Sequence, residues 1–502
     1  MGTQQASHRD KGVWRRHWFV LAVTSLLTLT MVGLAAVGEP PAESATLSTI
    51  EEGKAKPASV EPDRDETPDE AESKAKLPRG AESFAERLSL ITTPSASRRA
   101  AGFDAERLWS NYNDWEPAIA VDPGSSYVYQ LTTRYDGPAP CNQCTGPYLL
   151  FRRSSDGGAT WEPDQVLTVW RKPHNDPQIQ VSTDGTIYVA WLHDYVPGVK
   201  FIKSTDRGRS WSEPIAVTAA AKKPKWSDKP LLAISPDGRD VYIGFNASDS
   251  YVVASHDFGD SFSKPVQTNR DSRYWFHTGG AVAPNGEVYF AAVDYSQDYT
   301  GDSHINVLKS TNGGVSWTTI RVDTSSEMPD CGWSAGCYLG FFGPSAALAI
   351  DRAGKLMIAY NAGDTPGGPE KMYVRTSTDG AAWSARREVS NGSSTVNNAF
   401  PALAHGPRAG DFRLAWQDDR NGSTTAWNTW YRRTTNGGAT WTEAARVSDL
   451  GSGALYKNAD GYAFPYGDYF EMVVNAKGVT YLIWGEGESY TGPGGTWYTR
   501  GQ

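Results

Sequence analysis

The chain has 502 residues, a formal net charge of −9 at pH 7, 50 glycines, 30 prolines and 19 tryptophans. An acidic balance without a basic stripe excludes nucleic acid and other polyanions as partners. A hydrophobic content of 39% with no long amphipathic helical period points to a turn-rich, all-β protein.

In chain order, Arg15 and Arg16 precede an uncharged run from Phe19 to Gly38, FVLAVTSLLTLTMVGLAAVG. A basic flank before about twenty apolar residues is either a secretory signal or an uncleaved membrane anchor, and residues 1–38 carry both readings. Residues 39–85 are rich in Pro, Glu, Lys and Ala and poor in aromatics, which reads as a disordered, charged linker. The remainder, 86–502, is expected to be exported, secreted or held at the cell surface by a membrane tether.

From there one short string returns six times: SSDGGATW from Ser154, STDRGRSW from Ser204, SHDFGDSF from Ser255, STNGGVSW from Ser310, STDGAAW from Ser377 and TTNGGATW from Thr434. A short strand pattern flanks each copy, so each is the turn of a hairpin. The hydroxyl and carboxylate (or amide) bond turn N–H groups, and the glycines accept positive φ. Between copies lie seven further hairpins, among them PAIAVDPGSSYVYQLTTR, PQIQVSTDGTIYVAWLH and DYFEMVVNAKGVTYLIWGE. Paired with the turn hairpins they make four-stranded units, the blades of a β-propeller. The last unit ends at Gln502 after three strands, so its outer strand is expected from before the first blade, at Glu86 to Thr93.

The pattern S-x-D-x-G-x-x-W resembles the Asp box, or BNR repeat, of the sialidase superfamily. Sialidases have six blades, and six is the alternative to the seven counted here.

Four cysteines fall in two close pairs, Cys141 with Cys144 and Cys331 with Cys337. In an oxidising compartment these read as two local disulfides, and the rival is one zinc held by four thiolates. The histidines show no ligand spacing, so no catalytic metal is expected. Asp294, Asp298 and Asp302 recur every fourth residue in one loop and could hold Ca²⁺; no other cofactor is expected.

Strand alternation puts the loops leading into each inner strand on the face opposite the repeated turns. That face gathers Trp115, Glu116, Asp176, Asp228, Arg273, His277, Arg420 and Asp468 around the central funnel. Carboxylates and aromatics so disposed suit a glycan, with rings stacking on sugar faces. The sialidase resemblance adds roles. The loop before the first box implies Arg134 as a substrate contact and Asp136 as acid catalyst. PYGDYFEMVV is similar to the family's tyrosine motif and implies Tyr466 as nucleophile, with Glu486 taking its proton. The family's Arg-Ile-Pro leader is replaced by Asp114-Trp115-Glu116-Pro117, and carboxylates there repel a sugar acid. The reading is a sialidase-like glycoside hydrolase; the alternatives are a glycan-binding propeller that cleaves nothing and a scaffold for a protein partner.

Overall fold

The computed structural model describes residues 102–110, 112–135, 137–168, 171–194, 198–218, 227–297, 300–329, 343–423, 426–449, 454–455, 470–487 and 494–501. They form strands, turns and irregular segments, and no helix is long and apolar enough to cross a membrane among them. The N-terminal run, the linker and the Cys331 and Cys337 pair lie outside the described residues.

Seven four-stranded antiparallel blades form a ring, as the hairpin count predicts. Their innermost strands are Asp114–Val121, His174–Val181, Asp228–Ile234, Tyr274–Val282, Ala346–Ile350, Asn398–His405 and Glu471–Val474. The apolar residues of each strand face the neighbouring blades, because only the sheet faces, packed blade on blade, can be kept from water. Phe151, Ile187, Trp191 and Ile202, for example, fill the seam between blades one and two.

The closing strand differs from the expected one. It is Arg107–Leu108, which pairs antiparallel with Gly494–Gly501 to complete blade seven, and Glu86 to Thr93 lies outside the described residues. Two residues are too few for a hydrophobic alternation to be visible in sequence. Flanking contacts hold the strand: Asp104 N–H reaches the Arg500 carbonyl and Trp109 N–H the Thr496 carbonyl, both at 2.8 Å. The Arg152 guanidinium lies 3.9 Å over the Trp109 ring and 4.7 Å over the Trp161 ring, and this stack fastens the closing segment to blade one.

The repeated turns behave as read. Ser154 Oγ accepts the Gly158 N–H at 2.8 Å, and Asp156 Oδ1 accepts the Ala159 and Thr160 N–H groups at 2.9 Å. The Gly157 N–H donates to Ser126 in the turn between the first two strands of the blade, so both turns share the face opposite the leader loops. The terminal aromatic packs on the preceding blade: Trp211 meets Phe151 edge-on at 5.2 Å and Phe262 meets Phe201 at 5.0 Å. The same contact excludes a side chain at Gly208, where φ is +74° and a Cβ would stand 2.5 Å from Phe151. Gly208→Ala should therefore cost about 2–4 kcal/mol from positive φ plus overpacking; an unchanged urea midpoint would refute this.

Candidate functional site

A funnel of about 290 Å³ opens at the centre of the ring, lined by the inner strands of all seven blades. Around its mouth the inner strands share a local distortion. In blades one, two, three and six the register slips near the start of the strand, and the residue before a proline takes positive φ: Glu116 (54°), Asp176 (52°), Lys229 (41°) and Phe400 (52°). Proline cannot donate to the ladder, so a bulge forms there. Non-glycine residues in this conformation cost about 1–3 kcal/mol each and cluster at binding sites.

Glu116 anchors a network between blades one and two. Its Oε1 accepts the Tyr135 hydroxyl, which accepts Asn175 Nδ2 at 2.7 Å, and its Oε2 accepts the Asp176 N–H at 3.1 Å. Glu116 and Asp176 are both buried. Trp115, also buried, bonds Asn113 through its indole N–H. Asp228 is buried at the start of its strand, and Glu486 is buried where its Oε1 accepts the Trp484 indole N–H at 2.8 Å.

The three arginines lie in separate blades, each tied to an aspartate of its own blade. Arg134 pairs with Asp114 through Nε at 2.7 Å and Nη2 at 3.0 Å, and burial pushes the Asp114 carboxyl above its ordinary range despite that partner. Arg273 pairs with Asp294, whose oxygens also accept His304 Nδ1 at 2.9 Å and Asn306 Nδ2 at 2.7 Å. Asp294 is thus occupied by protein donors, and no cluster of three or more potential metal ligands occurs among the described residues. Arg420 pairs with Asp418 through Nε at 2.9 and 3.0 Å and lies 3.8 Å over the Trp430 ring.

His277 lines the funnel and is buried, with Nε2 2.7 Å from Ser250 Oγ. Burial pushes its pKa down to about 3. Asp136, Tyr466 and Asp468 lie outside the described residues. Cys141 and Cys144 form a disulfide beside the first-blade loop.

Sequence reasoning missed Glu471. It opens the inner strand of blade seven and lines the funnel, its Oε2 accepting the Ile119 N–H and its Oε1 accepting Gln178 Nε2, both at 2.9 Å. Burial pushes its pKa up to about 7 although both hydrogen bonds favour the charged form. The signal was present: an acid opens EMVV at a place where the register puts Ala118 in blade one and Ala402 in blade six.

The described residues form a seven-bladed β-propeller in which six turns share the Ser/Thr and Asp/Asn design. Over 344 residues the sequence is 25% identical to a sialidase of Micromonospora viridifaciens, covering 60% of this chain and 51% of that protein. It is 24% identical over 336 residues to xyloglucanase Xgh74A of Acetivibrio thermocellus, covering 58% of this chain and 36% of that one. The match therefore spans about half the length of the sialidase and about a third of the xyloglucanase. Among solved structures, a family PL25 ulvan lyase is similar with a TM-score of 0.48 and 12% identity, covering 80% of this chain and 95% of that one. No protein-family profile matches the chain.

Proposed function

We propose that the protein is an exported, sialidase-like glycoside hydrolase that works at the funnel mouth. The observation that carries this reading is the set of buried carboxylates, Glu116, Asp176, Asp228 and Glu486, at the leader-loop end of the blades, with Glu471 below them in the funnel. Fixed carboxylates bind sugar hydroxyls and supply acid–base pairs for glycosidic cleavage. The likeness to a sialidase and a xyloglucanase, two proteins named for acting on glycans, points the same way. Asp136 acts as acid, Tyr466 as nucleophile and Glu486 as its base. Export follows from the apolar run at Phe19 to Gly38, and the linker after it tethers the propeller if that run stays uncleaved.

The test is hydrolysis of a panel of chromogenic glycosides, a sialoside among them, by the full chain. Turnover is expected on at least one member, and Asp136→Asn should reduce it by about 10² or more. Glycan-array binding without turnover on any member would make this a binding propeller and retire the catalytic roles.

A further inference from the structure

The free edges of the inner strands face the funnel, and unpaired backbone edges are ordinarily covered. On one side of this funnel side chains cover them. Glu471 of blade seven bonds the Ile119 N–H of blade one, and Gln180 of blade two takes the Ile234 N–H at 3.1 Å and gives Nε2 to the Leu232 carbonyl at 2.8 Å. Across the funnel, blades four and five contribute Gly279, Gly280, Ser345, Ala346 and Ala347 beside the larger Phe276, His277 and Leu348. The funnel therefore has a polar wall built from Glu471 and Gln178, and the glycines and small residues among those facing it leave space beside that wall.

We propose that the funnel is a subsite for a single uncharged sugar ring, with Glu471 and Gln178 as its hydrogen-bonding wall. This rests on the glycan reading above and narrows its substrate class. Size supports it: about 290 Å³ is at the lower limit of ordinary small-molecule sites, roughly 300–1,000 Å³, so the space suits one ring and not a chain. The polar wall is held rigid, because the two Glu471 oxygens are pinned by donors from two other blades and Gln178 Nε2 also reaches the Pro177 carbonyl at 3.3 Å. Gln178 Oε1 accepts no bond from any described residue and can take a sugar hydroxyl.

Charge selects against a sugar acid. Glu471 is the one carboxylate among the described lining residues, and Glu116 and Asp176 stand on the same inner strands at the mouth. Arg134, Arg273 and Arg420 are each paired with an aspartate, and Lys229 is already engaged within the protein. A sugar carboxylate would meet the Glu471 carboxyl with no described guanidinium in the funnel lining to receive it.

The experiment is calorimetric titration of the full chain with methyl β-glucoside, methyl β-xyloside, methyl β-glucuronide and N-acetylneuraminic acid. A neutral glycoside should bind and the two acids should not. Glu471→Gln, which keeps size and shape, should weaken the neutral ligand about tenfold, and Ser345→Trp, filling the funnel from the opposite wall, should abolish binding; melting curves confirm that both variants fold. The proposal is overturned if the acids bind as tightly as the neutral sugars, if no probe binds, or if Glu471→Gln leaves affinity unchanged. Hydrolysis of the glycoside panel that persists in both funnel variants would retire the subsite and keep the glycan reading; no hydrolysis and no binding would retire both.

Discussion

Deleting residues 102–110 from the full chain should abolish cooperative unfolding and drive the protein to aggregate. The segment buries Phe103 and Trp109, lays Leu108 against the blade-seven core, and gives the Glu106 N–H to Asp449 at 3.0 Å. It also supplies the strand pairing, the Asp104 and Trp109 backbone bonds and the ring that caps Arg152. Three large apolar side chains at about 1.5–3 kcal/mol each, with several hydrogen bonds at about 1 kcal/mol each, amount to something on the order of 10 kcal/mol. Total stability of an ordinary domain is about 5–15 kcal/mol, so little would remain. The deletion also bares the edge of Gly494–Gly501, and an unprotected strand edge templates association. Urea unfolding followed by tryptophan fluorescence, with light scattering, reads both effects. An unchanged midpoint would mean that blade seven closes the ring against blade one without this strand.

The repeated turns were legible because their chemistry is local: a hydroxyl, a carboxylate and a glycine within five residues specify the bonds that Ser154, Asp156 and Gly158 make. Seven inner hairpins followed from the same logic, since each is a strand, a turn and a strand in continuous sequence. What needed two distant segments was not legible. Arg107–Leu108 pairs with residues nearly four hundred positions away and carries no pattern of its own. The site divides the same way. That Glu116, Asp176 and Asp228 open inner strands could be read from the leader loops, but the pairing of Arg134 with Asp114 and of Arg273 with Asp294 depends on neighbouring strand ends meeting within a blade. Glu471 was overlooked inside an apolar strand because its partners, Ile119 and Gln178, belong to blades one and two.

Acid should leave the protein nearly unaffected down to about pH 4.5 and then unfold it steeply. His174 and His277 are buried and neutral, with pKa values pushed down to about 3 by desolvation, against an ordinary 6.5. Neighbouring His193 and Lys200 add to the effect at His174, while Ser250 faces His277. Each histidine contributes stability that is present above pH 6.5 and lost as pH falls toward 3, because the unfolded chain takes up the proton first. The loss is about 1.4 kcal/mol per pH unit for each group, roughly 3 kcal/mol per unit for the pair. Glu471 works in the opposite sense. Raised from 4.5 to about 7, it contributes stability that is fully present below pH 4.5 and lost as pH rises through 7, and the buried Glu370 is raised as well. Between pH 6.5 and 4.5 the raised carboxyls therefore work against the histidines. Below 4.5 the unfolded carboxyls are protonated too, the offset ends, and the histidines act together with the turn carboxylates whose pKa values are held down, Asp156 and Asp206 among them. Asp257, held down to about 2 by its bonds to Ser255 and Ser261, then loses its turn contacts as it protonates. The measurement is urea stability against pH for the wild type and for His174→Asn and His277→Asn. Each variant should reduce the slope below pH 4.5 by about 1.4 kcal/mol per pH unit, whatever it does to stability at neutral pH. A slope unchanged in both would assign the acid unfolding to the turn carboxylates instead.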